Sequence, residues 1–379
     1  MFFILIGAVP FLYVLGRCIW PLRASRATKF ALTMILFLVA FKFQILRRFA
    51  GPMFFAPELP NWILALAAWA FTSLLGFMIF MIAADAARFA VWLVRRLARR
   101  PKLPWARSFD AGVNLALLTL SCVVTAWGMV NAASIPEVRR YERAFRTLPR
   151  ELGGFRIVLL ADLHIDKLTD RADIVEVVRR ANALRPDLVA LAGDFADGTV
   201  EKLRDKAAPL AELRAKYGVV GIPGNHEYYS GYQEWLEHLR SLGIVMLENE
   251  TRRPVPGFSV AGITDPAALR RGMEPPDLKK ALAGVPEGDF KLLLAHQLRH
   301  TREAAGLGVD LQLSGHTHGG MAVGLDRLVA AGNGGFVAGW YKVGGMALYV
   351  SRGTFIWKGY PLRLGVPSEI TLITLRRRE

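Results

Sequence analysis

Two uninterrupted apolar stretches constrain this chain more than any other feature. WILALAAWAFTSLLGFMIFMIAA, Trp62 to Ala84, and AGVNLALLTLSCVVTAWGMVNAA, Ala111 to Ala133, contain no charged side chain. Each matches the roughly 20 residues a helix needs to cross bilayer hydrocarbon. Two weaker runs precede them, one at 1–20 that carries Arg17 and one at 30–46 interrupted by Lys42. Four spans are therefore expected, the alternative for the two weaker runs being a re-entrant or interfacial segment. Arg17 is placed to snorkel toward a head group. The first run has no basic segment ahead of it and no small-residue cleavage site, so it reads as a retained anchor.

Charge flanks these runs. Arg17, Arg23, Arg26 and Lys29 fall between the first two, and Arg88, Arg95, Arg96, Arg99, Arg100, Lys102 and Arg107 between the last two. The positive-inside rule puts both loops in the cytoplasm, making this a multi-pass protein of the inner membrane whose remaining chain emerges on the outer face. Lys42, Arg47 and Arg48 oppose that orientation, as does a basic collar of Arg139, Arg140, Arg143, Arg146 and Arg150. Inside the spans ionisable groups are almost absent, which favours an anchor over a transport pathway. The formal charge of +16 would suit nucleic acid, anionic lipid or a phosphorylated substrate. Because so much of it borders apolar runs, the bilayer is the expected partner and nucleic acid is not. Cys18 and Cys122, the two cysteines, both lie in apolar runs, so the rest of the chain has no thiol nucleophile or disulfide.

The expected domains are a transmembrane anchor at 1–135 and a globular domain at 136–379. In the second, short apolar strands alternate with helical patterns, which indicates an α/β sheet architecture. FRIVLLADLH runs from a strand into Asp162 and His164. Thr169 or Asp170 then caps a helix with Ile174, Val177, Val178 and Ala181 on one face, ending before Pro186. DLVALAGDFADG leads to Asp194 and Asp197, YGVVGIPGNHEYY to Asn225 and His226, FKLLLAHQ to His296, and VDLQLSGHTHGG to His316 and His318. Of seven histidines five stand at strand ends, where open α/β sheets build their sites, while His238 and His300 fall in helix-like stretches and read as surface residues. Clustered imidazoles with carboxylates and an amide, without thiolate, suit manganese, iron or zinc in a reactive site. Asp162 and His164, two apart on an extended segment, would point the same way, with Leu163 facing the core.

The ordered blocks D-x-H, G-D-x-x-D, G-N-H-E, a lone H and G-H-x-H resemble those of the calcineurin-like metallophosphoesterase superfamily, in its bacterial membrane-associated branch. The similarity runs from about Pro136 to the end and includes YVSRG and PSEITLITL. It implies a two-sheet β-sandwich flanked by helices, and two divalent ions, manganese first and iron or zinc as alternatives. By the same resemblance one ion is held by Asp162, His164 and His318, the other by Asn225, His296 and His316, and Asp194 bridges both. His226 then stabilises charge on the phosphoryl group or protonates the leaving oxygen, and Asp197 orients it. Gly315, Gly319 and Gly320 would allow backbone turns and close substrate approach. One departure from the pattern is HIDK, where Asp166 and Lys167 replace a usual glycine.

Such a metal pair lowers the pKa of a shared water toward about 7, so hydroxide attacks phosphorus without a protein nucleophile. The expected function is a membrane-anchored phosphohydrolase cleaving a phosphoester or pyrophosphate bond, with an amphiphilic phospholipid or lipid-linked phosphate as substrate. Alternatives are a hydrolase of a soluble phosphodiester, or a sensor or scaffold that binds metal without turnover.

Overall fold

The computed structural model describes residues 2–50, 55–101 and 107–379, so Lys102 of the basic loop lies outside it. Two compact units emerge, Met1–Val130 with Gly359–Pro361, and Asn131–Lys358 with Leu362–Glu379.

The first unit is helical. By length and apolarity two of its described helices suffice to cross a membrane, Asn61–Leu97 and Asp110–Ala133, or three if a bent pair counts as one span. That pair, Arg26–Ala40 and Lys42–Phe49, is bent by 69° at a break beside Lys42, and the first run forms the shorter helix Ile4–Ile19. Only 17% of the apolar window of the last helix is buried within the protein. Leu115, Val123, Trp127 and Val130 stand exposed along it, a surface that water disfavours and lipid accepts. The Arg17 guanidinium reaches Asp85 at 3.0 Å, and Arg88 meets the same carboxylate at 2.7 Å, so the ion pair satisfies the charge locally.

The second unit is a sandwich of two six-stranded sheets. Its strands are β1 (Glu137–Phe145), β2 (Arg156–Leu160), β3 (Leu188–Ala192), β4 (Val219–Ile222), β5 (Val245–Met246), β6 (Glu250–Val255), β7 (Phe258–Gly262), β8 (Phe290–Leu294), β9 (Leu311–Ser314), β10 (Gly339–Val343), β11 (Met346–Val350) and β12 (Glu369–Arg377). One sheet has the order β1-β12-β2-β3-β4-β5, the other β10-β11-β9-β8-β7-β6. β2 to β5 run parallel to one another, as do β7, β8, β9 and β11.

Strand alternation explains the layering. Ile157 and Leu159 of β2 join Leu188, Val220, Phe258, Phe290, Leu292 and Leu313 between the sheets. Val158 and Leu160 point the other way, into a layer with Ile174, Val177 and Val178 of the helix Arg171–Ala183. Burial on both faces is why these strands read as continuous apolar runs, and each buried branched side chain contributes roughly 1.5–3 kcal/mol. Asp170 caps that helix, its carboxylate and that of Asp173 exchanging bonds with each other's backbone N–H. Of the basic collar, Arg139 pairs with Glu369 at 3.4 Å and Arg143 lies over the Trp340 ring at 4.4 Å, both on or beside the edge strand β1. A charged edge also discourages pairing with a further strand.

Candidate metal centre

Parallel strands deliver their next residues to a common edge, and here both sheets do so together. Asp162 follows β2, Asp194 follows β3, Asn225 follows β4, His296 follows β8, and His316 follows β9. The backbone there is not extended. Asp162 (φ 56°), His164 (φ 42°), Asp194 (φ 55°), His316 (φ 74°) and His318 (φ 49°) all occupy the left-handed region, which residues with a Cβ seldom adopt. Asp162 and His164 therefore converge through two left-handed turns and not through strand periodicity, while Leu163 is buried in the helix-side core. The loops are tied by backbone bonds, Asp162 N–H to Gly193 O and His164 N–H to Asp194 O, each 3.0 Å. Strained conformations of this kind persist where neighbours over-determine them, and they cluster at functional sites.

Two ligand groups result. Single donor atoms of Asp162, His164 and His318 lie within 4.8 Å of one another, and so do those of Asp194, His296 and His316. His164 Nε2 and His318 Nε2 are 3.2 Å apart, and His296 Nε2 is 3.1 Å from Asp194 Oδ2. Ligand atoms held about 2.1 Å from one ion sit at such separations. Asp194 also lies with His164 and His226 in a third group, which places it between the first two. Asn225 is buried, and its Oδ1 accepts no hydrogen bond among the described residues. The next residue, His226, donates its N–H to Asp194 Oδ1 at 2.8 Å, and an orphaned carbonyl oxygen adjoining it in the chain is what a cation would satisfy, so the residues fit a pair of divalent ions.

The second contacts are as ordered as the first. Asp197, buried, joins His164 Nδ1 at 3.0 Å and His226 Nδ1 at 2.5 Å, so both rings donate to one carboxylate and turn Nε2 toward the cluster. His296 Nδ1 donates to Ala192 O at 2.7 Å with the same effect. Burial and the neighbouring His296 push His316 down to about 3, and burial and His164 push His318 well below the ordinary range, so both are neutral, the ligating form. For His226 burial acts downward, but the carboxylates of Asp194 and Asp197 outweigh it and raise the pKa to about 9.

Tyr229 and Trp357 flank the His226 ring at 5.5 and 5.9 Å. Gly315 lets the Asp162 carboxylate approach its backbone, since a Cβ there would lie 2.6 Å from Asp162 Oδ2. Asp166 is turned to structure, accepting from Leu168 N–H, Thr169 N–H and Thr169 Oγ. His238 lies half-buried in the helix Tyr232–Ser241, and His300 precedes Thr301–Gly306; neither belongs to a ligand group.

Two residues of the site escaped the sequence reading. Glu227, fully buried, accepts N–H bonds from Asp194, Phe195, Ala196 and Gly224, stitching the loop after β3 to the loop after β4. Its signal was present in GNHE, but only as a letter beside two site residues. Arg363, also fully buried, donates to the carbonyls of Arg352, Phe355, Val366 and His318. Nothing in PLRLG marks it.

Residues 155–320 match the calcineurin-like phosphoesterase family. A transmembrane protein with metallophosphoesterase domain from Danio rerio is 36% identical over 272 residues, 69% of this chain and 62% of its own length. An uncharacterized metallophosphoesterase from Campylobacter jejuni is 32% identical, with 70% of each chain covered. Another from Aquifex aeolicus is 33% identical over 63% of this chain and 91% of its own. This chain thus spans less than two thirds of the zebrafish protein.

Proposed function

The chain belongs to the calcineurin-like phosphoesterase family, and from that premise we propose that it is a membrane-anchored phosphohydrolase that uses two divalent ions to cleave a phosphoester or pyrophosphate bond. The observation that carries this reading is the position of Asp194 between the two ligand groups, 3.1 Å from His296 of one and 3.7 Å from His164 of the other, with the carboxylate-oriented His226 beside it. Asp162, His164 and His318 would hold one ion, Asn225, His296 and His316 the other, and Asp194 both. The donor set of oxygen and nitrogen suits manganese, with iron or zinc also accommodated. When bound, the ions would supply Lewis-acid stabilisation of the phosphoryl oxygens and an activated water as nucleophile.

The chain's own part is orientation and proton supply. With Nδ1–H given to Asp197, His226 presents Nε2, 3.9 Å from Asp194 Oδ2, and a pKa raised to about 9 keeps that nitrogen protonated at neutral pH. It is placed to donate a proton to the departing oxygen or a hydrogen bond to the phosphoryl group. Asp197 keeps the ring in that orientation and does the same for His164.

For the substrate we favour an amphiphile, a phospholipid or a lipid-linked phosphate. The apolar helices of the first unit support this, since they would keep the site beside a bilayer, here assigned to the inner membrane with the phosphoesterase unit on its outer face. The test is p-nitrophenol release from bis(p-nitrophenyl) phosphate by the purified full chain, stripped with EDTA and reloaded with manganese. Metal-dependent release supports the reading; no turnover with any divalent ion overturns it.

A further inference from the structure

The segment that follows His296, a short loop running into the helix Thr301–Gly306, carries two guanidinium groups with no acceptor among the described residues. Arg299 and Arg302 are exposed, and neither makes a side-chain hydrogen bond or ion pair among the described residues. Elsewhere in this unit Arg180, Arg253 and Arg376 each engage a carboxylate. Both free groups line one cavity of about 520 Å³ that also includes the ligand histidine His316. Its apolar wall is set: Leu298 is buried in a small cluster with Leu348 and Val350, and Phe336 packs edge-on against Tyr341 at 5.0 Å. Thr317 Oγ donates to Val337 O and so ties the loop carrying His316 to the segment that carries Phe336.

A cavity of this size is larger than one phosphoryl group needs and falls within the range of pockets that enclose a small ligand. Two guanidinium forks on its rim select an anion with several oxygens, and phosphate geometry matches the fork in a way carboxylate alone does not exhaust. We propose that Arg299 and Arg302 bind a second phosphoryl group of the substrate, so that the chain hydrolyses diphosphates in preference to monophosphates. This rests on the phosphohydrolase reading above and names its substrate class. Water adds to the terminal phosphorus and sheds one proton to solvent, from which His226 is later reprotonated; the bridging P–O bond breaks, and its electron pair stays with the departing monophosphate. The charge that this product carries faces the two guanidinium groups, and the proton on its oxygen comes from His226.

The test compares farnesyl diphosphate with farnesyl monophosphate, which share one apolar tail, on the manganese-loaded full chain in detergent. The wild type should favour the diphosphate in kcat/KM by about tenfold or more, the scale of one charge-assisted contact, and the double variant Arg299→Gln/Arg302→Gln should lose that ratio. A wild type without preference, or a double variant that keeps it, overturns the proposal. Calorimetric binding of methylene diphosphonate, which cannot be hydrolysed, separates this idea from the parent reading. Affinity that falls about tenfold in the double variant supports the arginine site even if no ester is turned over, and equal affinity in both proteins refutes it.

Discussion

Asp197 Oδ1 lies 2.5 Å from His226 Nδ1, while its other oxygen holds His164 Nδ1 at 3.0 Å. One buried carboxylate thus orients both a proposed ligand and the proposed proton donor. Asp197→Asn cannot accept from both rings, because its amide nitrogen would face one Nδ1–H and force that ring to change tautomer. Turnover and manganese affinity should each fall roughly 10- to 100-fold, the usual scale for such orienting partners. Unchanged metal affinity, read by titration, would confine Asp197 to His226 alone.

Asp194 and His226 should separate metal binding from chemistry. Asp194→Ala removes a carboxylate that belongs to one ligand group and stands 3.7 Å from His164 of the other, so metal content by mass spectrometry should drop below two ions per chain and hydrolysis should vanish. His226→Ala leaves both groups intact and should keep its metal, with kcat lowered roughly 100- to 10,000-fold. Normal turnover in the second variant refutes the catalytic role.

The pH profile follows from the same histidine. Its pKa stands above the ordinary value, at about 9, because Asp194 and Asp197 outweigh burial. The protonated ring is the active form of a proton donor, so kcat should decline as pH rises through that value. Bound cations oppose Asp194's field and pull the midpoint down, so the alkaline limb is expected at or below about pH 9 and should be absent from the residual activity of His226→Ala. A wild-type kcat still rising at pH 10 excludes the assignment.

How much of this was legible beforehand divides along physical lines. Strand identity and the polar residue ending each strand are visible because β2, β3, β8 and β9 are buried on both faces and stop abruptly at Asp162, Asp194, His296 and His316. The left-handed backbone at Asp162, His164 and Asp194 was not, since aspartate and histidine do not announce φ as glycine does and the conformation is imposed by bonds between loops. Glu227 and Arg363 were missed for a related reason: their partners are backbone groups on distant segments, which leave no residue-type signal. The pairing of Arg17 with Asp85 was not legible either, because the two are remote in sequence.

Glu227 yields a stability prediction. It is fully buried and receives four backbone N–H bonds from two loops. Glu227→Ala leaves those donors buried without acceptors, at about 1–3 kcal/mol for each that water cannot reach. The metal-free variant should lose about 3 kcal/mol or more in chemical denaturation, and its manganese affinity should fall as Asp194 loses its anchorage. A variant of wild-type stability would mean that water replaces the carboxylate and that the loops hold themselves.

The orientation of the chain can be decided by one labelling experiment. Arg95 and Arg96 end the helix Asn61–Leu97 and Arg99 and Arg100 follow it, ahead of the second helix able to cross a membrane, while in the opposing collar Arg139 pairs with Glu369 and Arg143 lies over the Trp340 ring. The charge bias is counted over short loops, whereas long domains translocate largely regardless of their charge, so the basic loop outweighs the collar. The phosphoesterase unit should therefore lie outside the inner membrane. Cysteines introduced at exposed Glu287 and at Arg99 should react with a membrane-impermeant maleimide only at Glu287 in intact spheroplasts, and at both after lysis; the reverse pattern would place the site in the cytoplasm and remove outer-leaflet lipids from the candidate substrates.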